Sequence, residues 1–433
     1  MEQIYIYTKV LQPVEKVWEF YTLPEHITRW NYASLDWHTT KSENDLRPGG
    51  SFSSRMEARD GSFGFDFGGV YDEIITNQMI QYTLGDGRKV MITFIPEGSD
   101  TQLEIRFDPE AENSIEMQKM GWQAILDSFK TYAENSQRLI PYLWFDKNAL
   151  EAAELYTSVF PDSKIISVET IRDTPSGDCD MITFQLLGRE IQSIGAGTEF
   201  KLNSAFSFMA TFTSKEEIDT IYNAISKGGD TLMPLGEYPF SPYYVWFSDQ
   251  YGLNWQLILD ESASSQKIYP VLLFQGDQCG KAEAAIDFYK SILPGVDVAL
   301  ISKYAEGEAN DKRAIINYAQ ISALGLDLVF MDHDYGGADS FNEAFSLMIS
   351  CKDQMEIDYY WNKLSYVPEA EQCGWLKDRF GVSWQVIPSI LDDLMTKSTP
   401  EEADRVTKAF LKMGKFDIAE LIKAQKNEIE SSD

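Results

Sequence analysis

The chain has 433 residues, enough for two to four domains that each bury a core. An apolar share of 44% and an aromatic share of 13% belong to packed globular protein rather than to disordered chain. With 68 acidic side chains against 37 basic ones the net charge is -31, which repels phosphate backbones and argues against nucleic-acid binding; a well-hydrated cytoplasmic protein is expected. No apolar run approaches the roughly 18–20 residues that span a bilayer, so no membrane contact is expected. No basic region precedes an apolar one at the N-terminus, so no signal peptide is expected either. The four cysteines, Cys179, Cys279, Cys351 and Cys373, form no CxxC pair, which points to reduced thiols without structural zinc.

In chain order, "IYIYTKV" from Ile4 predicts a strand and "PVEKVWEFYTLPEHITRW" a helical run. Alternating strands follow in "GVYDEIITNQMIQYTL", "KVMITFIPE" and "TQLEIRF", then one long helix, "SIEMQKMGWQAILDSFKTYAEN". Met117, Met120, Ile125, Phe129 and Tyr132 recur there near helical spacing and predict its apolar face. "AENSQR" (Ala133–Arg138) predicts a boundary.

Beyond it the chain repeats itself. "PYLWFDKNALEAAELYTSVFPDSKI" matches "PVLLFQGDQCGKAEAAIDFYKSILPGVDV", each a strand, a loop and an amphipathic helix ending at a proline turn. "GREIQSIGAG" then parallels "GLDLVFMDHD", and "NSAFSFMATFTSKEEIDTIYNAIS" parallels "NEAFSLMISCKDQMEIDYYWNKLS". Both copies close on one motif, "YGLNWQLIL" (Tyr251–Leu259) and "FGVSWQVIP" (Phe380–Pro388). Four matching blocks in one order define a duplicated module. The polar "DESASSQK" (Asp260–Lys267) reads as its linker. The tail reads as two amphipathic helices broken near Gly414.

These blocks resemble the vicinal-oxygen-chelate (glyoxalase/bleomycin-resistance) superfamily, nearest its PhnB-like branch, often labelled 3-demethylubiquinone 3-methyltransferase-like. The residues that carry the likeness are the "PYLWFD", "EAAELY" and "VFP" opening and "GLNWQL". The segment before them resembles AHSA-type domains of the SRPBCC (START-like, helix-grip) superfamily. It does so through "PVEKVWEFYTLPEHITRW", "RPGGSF", "GGVYDEI" and "GWQAILDSF". Together they imply an α+β protein. A helix-grip domain (1–134), in which a curved antiparallel sheet wraps a long C-terminal helix, precedes two tandem βαβββ modules (138–260 and 267–390) and a helical tail (391–433). The two modules are expected to pair with each other within the chain, as superfamily halves do.

The resemblance also implies a metal site, which these residues do not supply. Where metal-using relatives carry a last-strand Glu, the copies carry Gln256 and Gln385; the hairpin His falls on Ser207 and Ser346. Near the third ligand position stand Gln192 in one copy and Phe330–Met331 in the other. His26 and His38 lie in the first segment, and His333 in "MDHDYGG" reads better as a solvated loop residue than as a ligand. Neither a metal nor another cofactor is therefore expected.

Strand alternation instead places Asn254, Gln256, Ser207, Met209 and Thr211 in one pocket, and Ser383, Gln385, Ser346 and Met348 in another. Trp255 and Trp384 fall on the opposite, core face. In the helix-grip segment Trp30, Trp37, Phe52, Phe65, Tyr71 and Trp122 are candidates to line a pocket. No GxSxG, no P-loop, no glycine-rich cofactor loop before a helix and no Ser or Cys with an evident His base appears. The leading expectation is a cytoplasmic binder of small apolar or aromatic ligands. A small-molecule enzyme of the superfamily and a chaperone-associated interaction protein, through the AHSA-type segment, are the alternatives.

Overall fold

In the computed structural model, residues 3–10, 12, 14–34, 36–97, 100–135, 138–174, 176–261, 267–333, 339–396 and 398–427 are described. The middle of the expected linker, residues 136 and 137 of the expected boundary, the glycine-rich stretch after His333 and the last six residues lie outside them. The chain divides into two compact units, residues 1–136 and 137–433.

The first unit runs β1 (Ile4–Val10), α1 (Val14–Thr22), α2 (Pro24–Trp30), β2 (Trp37–Asn44), β3 (Ser51–Ala58), β4 (Gly64–Ile75), β5 (Met79–Leu84), β6 (Lys89–Glu97), β7 (Asp100–Phe107) and α3 (Ile115–Asn135). Its strands form one antiparallel sheet in the order β1-β7-β6-β5-β4-β3-β2. Alternation decides which face is covered: Ile80, Tyr82 and Leu84 of β5 and Val90, Ile92 and Phe94 of β6 are buried. Helix α3 supplies Leu126, Phe129 and Ala133 to this core, and Trp122 stacks on Phe107 with ring centroids 4.2 Å apart. Met117 and Met120 do not belong to the buried stripe; they are 62% and 71% exposed. At about 3.6 residues per turn Met120 points directly away from Phe129, so the apolar spacing drawn from the sequence overshot the true face.

The second unit holds both copies. The first has β8 (Leu139–Phe145), α4 (Ala149–Val159), β9 (Lys164–Thr174), β10 (Gly177–Leu186) and β11 (Arg189–Gly195). Its second half has β12 (Phe206–Phe212), α5 (Lys215–Ile225), β13 (Thr231–Tyr238), β14 (Ser241–Ser248) and β15 (Asn254–Leu259). The other copy has β16 (Lys267–Phe274), α6 (Ala282–Ile292), β17 (Asp297–Lys303), β18 (Ile316–Ala323) and β19 (Leu326–Asp332). It continues with β20 (Phe345–Cys351), α7 (Gln354–Leu364), β21 (Trp375–Lys377) and β22 (Ser383–Pro388).

These strands form two sheets, and each sheet draws on both copies. The second sheet runs β21-β22-β20-β8-β11-β10-β9 and the third runs β13-β14-β15-β12-β16-β19-β18-β17. The seams are antiparallel: β8 lies against β20 with Tyr142 opposite Ser346, and β12 against β16 with Ser207 opposite Val271. At the seam between copies, Phe206 and Phe345 stack with centroids 3.5 Å apart.

The closing motif is built around a buried carboxylate. Asp249 Oδ2 accepts from Tyr156 Oη at 2.6 Å and Trp255 Nε1 at 2.9 Å, while its Oδ1 accepts the backbone N–H groups of Tyr251 and Leu253. Asp378 repeats this with Tyr289 at 2.6 Å, Trp384 at 2.9 Å and the N–H groups of Phe380 and Val382. Four donors per carboxylate partly offset its desolvation under Trp255 and Trp384, both fully buried; burial still pushes both carboxyls above their ordinary range.

The tail adds α8 (Ile390–Thr396), α9 (Pro400–Phe410) and α10 (Ile418–Lys426). A Thr399–Glu402 capping box starts α9 and Asp417 caps α10. Between α9 and α10 the chain hydrogen-bonds to the end of β21: Cys373 N–H to Met413 O and Gly374 N–H to Gly414 O, both at 2.7 Å. Gly374 has φ 84°, and a Cβ there would lie 2.5 Å from the Phe416 ring. The tail thus takes the edge that β13 holds in the first copy, where Gly236 pairs with Tyr244.

Candidate binding sites

Each sheet of the second unit turns one face to the helices and the Trp-rich core, and the other to a smaller cluster. On the third sheet that cluster holds Met209, Tyr269, Val271 and Val329, continued by Tyr244, Trp246 and Leu273. On the second sheet it holds Ile140, Tyr142 and Met348, with half-buried Met181, Ile194, Trp375 and Ile387. These are the two candidate binding faces.

Alternation places Ser207, Met209, Asn254 and Gln256 on the third sheet's face, as expected, and Ser346, Met348, Ser383 and Gln385 on the second's. Gln256 Nε2 donates to Ser207 Oγ at 2.8 Å and Gln256 Oε1 accepts from Tyr244 Oη at 2.6 Å. Gln385 Nε2 donates to Ser346 Oγ at 2.9 Å, but the position of Tyr244 is Cys373 here, and the described residues give Gln385 Oε1 no donor. Asn254 Oδ1, Trp246 Nε1 and Ser383 Oγ are buried without a hydrogen-bond partner. Thr211 Oγ1 is engaged at the seam, accepting Lys267 N–H at 3.1 Å.

Gln192 changes company. Its strand β11 pairs with β8, with Gln192 opposite Tyr142, so it joins the set of Ser346, Met348, Ser383 and Gln385 rather than that of its own copy. Its counterpart, opposite Val271, is Val329; Phe330 points into the core with no exposed surface, which corrects the sequence alignment by one residue. A one-residue slip on a strand changes the face, and periodicity alone does not locate the register.

Neither face fits a divalent metal. Their buried polar groups are amides, hydroxyls and an indole, and no cluster of three His, Cys, Asp or Glu side chains exists among the described residues. Asp332, beside His333, is occupied otherwise: its two oxygens accept the backbone N–H groups of Gly280, Ala282, Ile315 and Ile316 and fasten the start of α6. His333 packs its ring edge-on to Trp246 at 6.0 Å.

In the first unit the candidate residues separate. Trp30 is core, not pocket: it is 5% exposed, packs on Tyr21 and Phe129, and donates from Nε1 to Phe20 O at 2.9 Å. Trp37 and Phe65 meet at the outer strands with centroids 5.8 Å apart, and Phe65 is exposed. Tyr71 lies deeper, donating to Asn44 Oδ1 at 2.7 Å. Nearby, Tyr21 and Tyr82 have hydroxyls without a protein partner among the described residues, and burial pushes both phenols well above their ordinary range. Sequence reasoning missed these two, since a Tyr on the apolar side of a helix (Tyr21 on α1) or strand (Tyr82 on β5) looks like core until its hydroxyl is traced.

Comparison with known proteins places these geometries. The family model described as 3-demethylubiquinone-9 3-methyltransferase matches residues 137–258 and again 266–387, more than half of the chain. The model described as activator of Hsp90 ATPase homolog 1-like protein matches residues 12–134. No curated protein matches. Among solved structures, Chr148 from Cytophaga hutchinsonii is 50% identical over 31% of this chain and 92% of its own, with a TM-score of 0.29. The AHSA1-like protein of Aeromonas hydrophila is 41% identical over 30% and 92%, TM-score 0.29. The PhnB protein of Bacillus cereus is 36% identical over 28% and 98%, TM-score 0.27. Its duplicated module makes this chain a member of the 3-demethylubiquinone-9 3-methyltransferase (PhnB-like) family, here preceded by an AHSA1 domain.

Proposed function

We propose that the chain is a cytoplasmic binder of small, mostly apolar or aromatic molecules, held on the two inner faces of the duplicated unit. The observation that carries this reading is the pair of apolar faces, rich in Met, Tyr and Trp, with Asn254 Oδ1 and Trp246 Nε1 on one and Ser383 Oγ on the other buried without a partner among the described residues. A buried donor or acceptor without a partner costs roughly 1–3 kcal/mol, which a ligand that satisfies it recovers. The Ser207–Gln256–Tyr244 relay fixes one amide rigidly and so sets the orientation of what binds beside it. The family description names a methyl transfer; the proposal concerns binding alone.

The test is thermal denaturation of the full chain with neutral aromatic and lipid-like compounds. Stabilisation that rises with compound concentration and is lost in Trp246→Leu supports the reading. Absence of any shift across all compound classes would sink it.

A further inference from the structure

We infer that the face of the second sheet is a site for an organic cation, an amine or quaternary ammonium group carried on an apolar body. This rests on the binding reading above and names the ligand class for one of its two faces.

Three aromatic side chains surround the upper part of this face. Trp375 meets Tyr142 edge-on at 5.8 Å and Trp144 edge-on at 6.4 Å, and all three belong to strands of one sheet. Aromatic rings gathered edge to face around Trp375 offer π-faces that attract a cation at short range. Trp144 is held in place from outside, donating from Nε1 to Gly197 O at 2.7 Å.

Ser383 Oγ is buried here without a hydrogen-bond partner, and among the described residues the Tyr142 hydroxyl, the Gln192 carboxamide and Gln385 Oε1 accept no side-chain hydrogen bond. Each offers a lone pair to an ammonium N–H or to its polarised methyl groups.

Two carboxylates stand at the margin. Glu169 shares the Met181 face of the sheet, since the two residues are paired across β9 and β10. Asp392, on α8 directly after β22, lies within electrostatic range of it. Burial, then the charge of Asp392, pushes the Glu169 carboxyl above its ordinary range against a hydrogen bond from Ser167, so a cation at this margin would meet two neighbouring carboxylates. On the same face Lys377 is already engaged by Glu343 at 2.9 Å. The third sheet keeps a Trp, Trp246, at the position of Trp375 but not the rest: Val271, Leu273, Val329 and Ser302 stand where Tyr142, Trp144, Gln192 and Glu169 stand here.

The test is calorimetric titration of the full chain with benzyltrimethylammonium and, separately, with uncharged 2-phenylethanol at low ionic strength. The cation is expected to bind about tenfold more tightly. Trp375→Leu and the charge-neutral double variant Glu169→Gln/Asp392→Asn should each remove that preference. Equal binding of both probes, no binding of the cation, or a preference that survives both variants overturns the inference. A neutral compound that still stabilises the chain in that case leaves the binding reading standing; no binding by any compound removes both. Retained circular dichroism in the double variant separates lost charge from lost fold.

Discussion

The two inner faces of the duplicated unit share a frame and differ in content. In both, a Gln on the last strand donates to a Ser on the strand beside it, at 2.8 Å on one face and 2.9 Å on the other. On the third sheet Tyr244 completes that relay and aliphatic side chains fill the floor; on the second, the phenol is absent and aromatic and polar groups replace the aliphatics. The edges differ as well, a strand in one case and the tail in the other. Duplication has kept the residues that hold the strands together and released those that face inward.

That comparison is sharpened first through its shared part. Asp249→Ala and Asp378→Ala each strand four donors, two of them on buried side chains, and each should cost about 4 kcal/mol in chemical denaturation. Costs that differ by more than about 2 kcal/mol would break the equivalence of the two frames.

The next effect is confined to one side. Gly374→Ala forces a side chain onto a positive φ and into the Phe416 ring, for a loss of roughly 2–4 kcal/mol. Limited proteolysis should then cut first between α9 and α10, and a tail that stays resistant would show that its grip lies elsewhere. The Gln pair separates the faces more finely. Gln256→Leu leaves the buried Tyr244 hydroxyl unpaired and should cost about 1–3 kcal/mol, against about 1 kcal/mol or less for Gln385→Leu, as read from denaturant midpoints.

The smallest effect depends on pH. The folded state raises the Glu169 pKa, so ionisation favours the unfolded chain, and its unfavourable contribution grows as pH climbs above the ordinary glutamate value of about 4.3. Glu169→Gln should therefore melt about 1–2 °C higher at neutral pH, with the gain gone below about pH 4. A lower melting point at neutral pH would mean that Glu169 is held by a favourable partner.

Much of the frame was legible in the sequence because it rests on local periodicity: alternation put Trp255 and Trp384 in the core and Gln256 and Gln385 on the other face. The buried clamp was legible too and went unread, although an Asp stands six residues before the Trp in both copies. The exchange of halves was not legible. Which strand lies beside β8 is decided by packing across some two hundred residues, and no pattern within β8 or β20 encodes it. Gln192 was consequently grouped with the wrong partners, and the tail, whose amphipathic pattern is plain, carried no mark of the edge it covers.

The seams between the copies carry a further consequence. A lone module would have to meet a second molecule to finish either wall, so its inner faces would be complete only above some threshold concentration. Here the tether makes that meeting intramolecular, and both walls are complete however dilute the protein. A symmetric pair would also be bound to two identical chambers. Joined in one chain, the copies are free of that symmetry, and the two inner faces can diverge from one another independently.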